Sequence, residues 1–198
     1  MLNYSKITIS PEVFLMSKNK LHNNSIIPIN EEVSMGDEEF IVSKTDLRGY
    51  ITYANRTFME MAVLTEAQLL HTNHNIIRHP DMPKGVFKFV WMTIKKEQEF
   101  FGFVKNLRAD GRYYWVFANI TPEYDVKGKL FGYLSVRRKP PTSAIKVIEP
   151  IYKKMLDIEK AERSDKLAED KSIEFLLLQL DSLKVAYQDF VMRLYQGK

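Results

Sequence analysis

Apolar residues recur along the chain with two different periods, and each change of period marks an element. Glu39–Lys44 and Gly49–Ala54 alternate as strands do, across a turn at Asp46–Gly49. Asn55 then stands where a helix N-cap belongs, ahead of Phe58, Met61 and Ala62. A second short helix opens near Thr65-Glu66, and His71–Pro83 is polar and irregular, with two prolines. Val86, Phe89, Val90 and Ile94 return to helical spacing over residues 84–96. Three more alternating runs follow, Phe101–Leu107, Tyr113–Thr121 and Leu130–Val136, with turns at Asp110-Gly111 and Lys127-Gly128. Two strands, several short helices and three hairpin-linked strands predict an α+β fold. Its five-stranded antiparallel sheet carries short helices on one face, with a pocket between them.

The flanks read as helical. Ser10-Pro11-Glu12 is a helix-start signal for a stripe of Val13, Phe14, Met16 and Leu21, ending near His22. Residues 25–36 read as a linker around Pro28. Pro140-Pro141 closes the central unit. Ile148, Ile151, Met155 and Leu156 then share one face of a helix over 143–158, and residues 159–171 are mostly charged or small. From Ile173 the apolar set is Leu176, Leu177, Leu180, Leu183, Tyr187, Phe190, Val191 and Leu194, one of the strongest amphipathic patterns in the chain. The pattern leaves open whether residues 159–198 form one helix or two. The expected division is a helical cap and linker over 1–36, a compact unit over 37–139 and a helical extension over 140–198. The extension serves as a partner surface, as packing for the sheet, or in self-dimerisation.

Composition narrows the chemistry. With 198 residues, 45% hydrophobic and 27% charged, the chain suits one globular domain plus extensions. No apolar run approaches the ~18 residues that span a bilayer, and no secretory leader opens the chain, so a cytoplasmic protein is expected. There is no cysteine, which excludes disulfides, thiolate metal sites and a flavin–cysteine adduct. The net charge of +4 falls on residues 37–139 without a dense basic patch. That argues against a nucleic-acid partner and suits a phosphate-bearing small ligand.

The densest candidate for chemistry is Arg78-His79-Pro80-Asp81-Met82-Pro83. Arg78 has the planar fork that pairs with phosphate. His79 and Asp81 offer hydrogen bonds to a polar ring or ribose. On spacing alone, a surface Arg78–Asp81 pair ahead of a Pro83-initiated helix stands even with that reading. His71, His74 and His79 lack partner carboxylates at metal-binding spacing, so no metal site is expected. A single axial histidine on haem is the remaining alternative. No nucleophile–base pair, Gly-rich phosphate loop or His-Glu-x-x-His motif is present, so the expected protein is not an enzyme. Trp91 and Trp115 suit either a core or a flat ring to stack on. Asn106 and Asn119 lie on strands, where a buried amide needs partners.

Taken together these residues resemble a known family. Thr45-Asp46-Leu47-Arg48-Gly49-Tyr50-Ile51-Thr52-Tyr53-Ala54-Asn55, followed by Phe58, is similar to the start of a PAS domain. The run Ile77–Pro83, then Trp91–Lys96, Gly102–Asn106, Gly111 and Tyr114–Val116, resembles the FAD-binding PAS domain of Aer-type aerotaxis and energy-taxis transducers. The resemblance covers roughly residues 29–152. It implies non-covalent FAD, redox sensing and control of the chemotaxis kinase. It also implies cofactor-site or signalling roles for Arg78, His79, Asp81, Asn55, Trp91, Asn106 and Tyr114. Phe100 stands where the family usually has Trp, and Glu97 where it has Gly. Aer-type receptors continue into a membrane anchor, a HAMP domain and a kinase-control module. This sequence ends at Lys198, which resembles the stand-alone CetB-type arrangement. That form would signal to a separate HAMP-containing membrane chemotaxis transducer and reach the inner membrane only through it. A haem-binding PAS gas sensor and a cofactor-free PAS docking module are the alternatives.

Overall fold

The computed structural model describes residues 26–198. The helix expected near Ser10–His22 lies outside the described residues. The strands are β1 (Ile41–Asp46), β2 (Ile51–Ala54), β3 (Phe100–Leu107), β4 (Tyr113–Tyr124) and β5 (Leu130–Arg138). They form one antiparallel sheet in the order β2-β1-β5-β4-β3. This is the five-stranded antiparallel sheet with helices that the sequence predicts. β1 starts two residues later than its pattern suggests, because Glu39 closes a turn: its carboxylate accepts from Gly36 N at 2.7 Å.

Between β2 and β3 lie α1 (Arg56–Ala62), α2 (Glu66–Leu69), a 3-10 turn (His74–Ile77) and α3 (Lys84–Ile94). Asn55 caps α1. Its Oδ1 accepts from Phe58 N and Val42 N at 3.0 Å each, and its Nδ2 donates to Phe40 O at 2.8 Å. One side chain thus fastens α1 to the start of β1. Thr65 and Gln68 form a capping box on α2. Phe58, Met61, Leu69 and Ile77 bury their apolar sides against Ile41, Ile51, Tyr114 and Val116 of the sheet.

The register makes the two faces of β3 and β4 distinct. Asn106 opposes Tyr114 and Val104 opposes Val116 on the inner face; Lys105 opposes Trp115 and Phe103 opposes Phe117 on the outer face. Helices cover both. On the outer side run α4 (Thr142–Ala161), α5 (Asp165–Ser182) and α6 (Tyr187–Tyr195). Ile148, Tyr152 and Met155 of α4 pack with Phe103, Trp115 and Phe117. The Tyr152 hydroxyl donates to Phe103 O at 2.8 Å, and the Tyr195 ring stacks on Phe117 at 4.1 Å. The apolar stripe that began at Ile173 is broken at Lys184, whose φ is 53°. That turn separates α5, which lies along α3, from α6, which crosses to β3. The C-terminal extension therefore spends most of its apolar side chains on its own domain, while Leu177, Leu178 and Leu183 stay exposed.

Candidate functional site

A cleft of about 830 Å³ opens between α3, the 3-10 turn and the inner face of β3, β4 and β5. That volume is typical of cofactor-sized ligands. Ile77, Val90, Ile94, Val104, Ala118 and Ile120 make its walls apolar. Trp91 and Tyr133 meet edge to face across it, 6.0 Å between ring centroids. Trp91 also presses on Gly49, whose φ is +84°; a Cβ there would sit 3.1 Å from the indole.

The floor is polar. Arg137 is 4% exposed, yet among the described residues no carboxylate pairs with it. Its Nε donates to Ser135 Oγ at 3.0 Å, its Nη2 reaches Ser43 Oγ, and Nη1 is buried without a partner. Burial pulls the guanidinium down to about 10. His74 Nε2 lies 2.6 Å from Arg137 Nη2 and therefore accepts, which makes the ring neutral. Burial and the Arg137 charge both hold the His74 pKa well below the usual histidine value. Phe58 stacks on His74 at 5.5 Å and lies under the Arg137 guanidinium at 5.1 Å. Asn106, which also lines the cleft and is 3% exposed, carries a buried Nδ2 without a partner. The cleft thus offers two donors to a ligand, one of them charged. Its mouth is basic, with Arg48, Arg78, Lys84, Lys88 and Lys95 on the rim and Glu169 of α5 among them.

Of the residues singled out in the sequence, Arg78, Trp91 and Asn106 line the cleft together. Arg78 Nη2 donates to Met82 O at 3.0 Å and its guanidinium covers Phe87 at 4.3 Å. Tyr114 lies on the inner face within the core, its hydroxyl buried and unpartnered and its pKa raised by burial. Asn55 stands in the α1 cap. His79 and Asp81 sit on the far side of β3. A β-bridge joins Arg78 to Asn106, so the residues that follow are turned outward. There His79 Nδ1 accepts from Asp81 N at 3.0 Å, and Asp81 pairs with Lys105 at 2.9 Å. Lys105 covers the Tyr113 ring at 4.1 Å. Burial, then the Lys105 charge, pushes His79 down to about 4. Burial alone would raise Asp81, but Lys105 holds it below the usual carboxylate range. Asn119 faces outward, opposite to Asn106.

Sequence reasoning missed Arg137 and weighed His74 only as a metal ligand. The signal was there in parity: Tyr133, Ser135 and Arg137 alternate onto the inner face of β5. Among the described residues no three His, Asp or Glu side chains cluster as a metal site, and no helix is long and apolar enough to cross a membrane.

Residues 51–137 match the family model described as PAS fold. The aerotaxis receptor of Escherichia coli (strain K12) is 42% identical over 123 residues, which are 62% of this chain and 24% of that protein. The nitrogen fixation regulatory protein of Klebsiella pneumoniae is 30% identical over 128 residues, 65% of this chain and 25% of that protein. The chain thus spans about a quarter of the length of either curated relative. Among solved structures, the PAS domain of a Colwellia psychrerythraea protein superposes with TM-score 0.47 at 20% identity, over 50% of this chain and 85% of that one. Residues 51–137 thus have the PAS fold, in a region similar to part of an aerotaxis receptor.

Proposed function

We propose that this PAS domain binds FAD non-covalently in the cleft and acts as a redox sensor for energy taxis, without catalytic turnover. It passes its state by protein contact to a HAMP-containing membrane chemotaxis transducer. The observation that carries the reading is the pair of buried, unpartnered donors, Asn106 Nδ2 and Arg137 Nη1, facing a cleft with apolar walls. An unpaired buried amide costs about 1–3 kcal/mol and an unpaired buried charge more. A planar heterocycle with carbonyls and ring nitrogens on one edge offsets both costs. Bound flavin supplies a reversible redox change that alters the charge and protonation of its ring.

The chain's own residues divide the work. Arg137 and Asn106 donate to the polar edge, and Arg137 favours negative charge there. Trp91 and Tyr133 supply flat apolar surface. Arg78, on the rim, suits the diphosphate. His79 and Asp81 act from behind β3 as positioning residues, because Asp81 holds Lys105, the neighbour of Asn106. Asn55 fixes α1 and β1, and Tyr114 lies directly across from Asn106. The 42% identity to an aerotaxis receptor over the same region supports the energy-taxis context. Haem has less support. His74 lines the cleft, but its Nε2 is held against the Arg137 guanidinium. The protein is expected in the cytoplasm, reaching the inner membrane through its partner.

The test is the visible absorbance of the purified protein and the identity of the chromophore released on denaturation. A flavin spectrum releasing FAD is expected. A Soret band, or no chromophore after reconstitution with FAD, would overturn the reading.

A further inference from the structure

Helix α3 forms one wall of the cleft, and its first turn is held from outside the sheet and its inner helices. Pro83 precedes it and supplies no side-chain cap. Instead the amides of Lys84 and Gly85 donate to the Glu159 carboxylate of α4, at 2.9 Å each. Ser172 of α5 donates to the same carboxylate at 2.7 Å. One carboxylate at the positive end of α3 therefore ties α3, α4 and α5 together. Gly85 lets them meet: a Cβ there would collide with Ser172 Oγ and press on the backbone of Glu169 and Ile173. Lys84–Asp165 and Lys88–Asp170 ion pairs extend the contact. Glu169, 3.9 Å from Lys88, reaches the mouth of the cleft. From the first turn onward α3 presents Phe87, Val90, Trp91 and Ile94 to the cleft.

We propose that the α4–α5 hairpin reads the state of the cleft through α3, with Glu159 as the positioning residue that couples them. The inference rests on the flavin reading of the cleft. A docked hairpin fixes the first turn of α3 and so sets the wall before a ligand arrives. A ligand lodged against Phe87 and Trp91 in turn holds α3 where Glu159 meets it. Coupling between the two is reciprocal: ligand protects the hairpin, and the hairpin tightens ligand binding. The surface whose state a partner senses is then the helical hairpin.

The test uses the full chain, Glu159→Gln, and Glu174→Gln on the exposed side of α5 as reference. FAD affinity is measured together with hydrogen exchange across residues 84–94 and 165–182. In the wild type, FAD slows exchange in α5. Glu159→Gln weakens FAD about tenfold, within the usual range of coupling between sites, and removes that protection. Glu174→Gln changes neither. Glu159→Asp, which keeps the carboxylate on a shorter arm, gives an intermediate loss. Bound FAD without protection of α5, or wild-type affinity in Glu159→Gln, overturns the proposal. Ligand-free protein separates this from the flavin reading. There Glu159→Gln speeds exchange in α3, and unchanged exchange overturns the coupling by itself. A chain that binds no flavin but shows that change overturns the flavin reading and keeps the clamp.

Discussion

β3 and β4 build two faces from alternating residues, and the chain finishes them in opposite ways. On the outer face Phe103, Trp115 and Phe117 meet α4 and α6, Lys105 has Asp81, and the Tyr152 hydroxyl has Phe103 O. On the inner face Asn106 and Tyr114 keep buried polar atoms without partners, and Arg137 on β5 keeps a buried charge. The outer face is largely complete as folded, with the buried Asn119 Nδ2 its exception. The inner face leaves these atoms open to the cleft ligand proposed above. Burial alone does not distinguish them, since Phe103 and Tyr114 are both 0% exposed; the buried charge of Arg137, which no carboxylate pairs among the described residues, does.

The contrast is sharpest if substitutions on the two faces separate stability from binding. Phe103→Ala removes a fully buried ring from the outer core and is expected to cost about 3–5 kcal/mol in urea unfolding. A cost under about 1 kcal/mol would mean that the C-terminal helices do not pack there. Arg137→Met should do the reverse. Ligand-free protein loses an unpaired buried charge, so its unfolding free energy stays level or rises by about 1 kcal/mol. A large fall would mean that Arg137 is structural.

The outer cluster also sets a pH dependence. His79 titrates near 4 when folded, against 6.5 in the unfolded chain. Between those values the unfolded chain takes up a proton that the folded one does not, so stability falls as pH drops from 6.5 towards 4. His74, held low by burial and Arg137, acts in the same direction. Urea midpoints at pH 7 and pH 5 should differ less in His79→Gln than in wild type. The smallest effect belongs to the exposed Arg56–Glu60 pair of α1. Glu60→Ala should cost about 0.3–0.5 kcal/mol and leave FAD binding unchanged.

Much of this was legible in the sequence. Period-2 alternation and the Asp110-Gly111 turn give the strands, and Asn55 and Thr65 mark two helix starts by their capping chemistry. Proximity in sequence misled at Arg78–Asp81. Four adjacent residues suggest one site, but the bridge to Asn106 turns Arg78 inward and His79 and Asp81 outward. Arg137 was hidden for the opposite reason. It stands just past the strand expected at Leu130–Val136, and β5 runs on to Arg138, so its inward parity buries it. The single apolar stripe from Ile173 concealed the break at Lys184, because its spacing stays helical across a turn that tertiary packing imposes.

On the flavin reading, Asn106 Nδ2 and Arg137 Nη1 donate to the bound ligand. The most direct test is the dissociation constant for FAD of wild type, Asn106→Ala and Arg137→Met, each first shown to be folded by its urea transition. FAD is expected to bind the wild type and to weaken at least about tenfold in both variants, the ~1.4 kcal/mol of one lost hydrogen bond or more. Folded variants that bind FAD as the wild type does would contradict that reading.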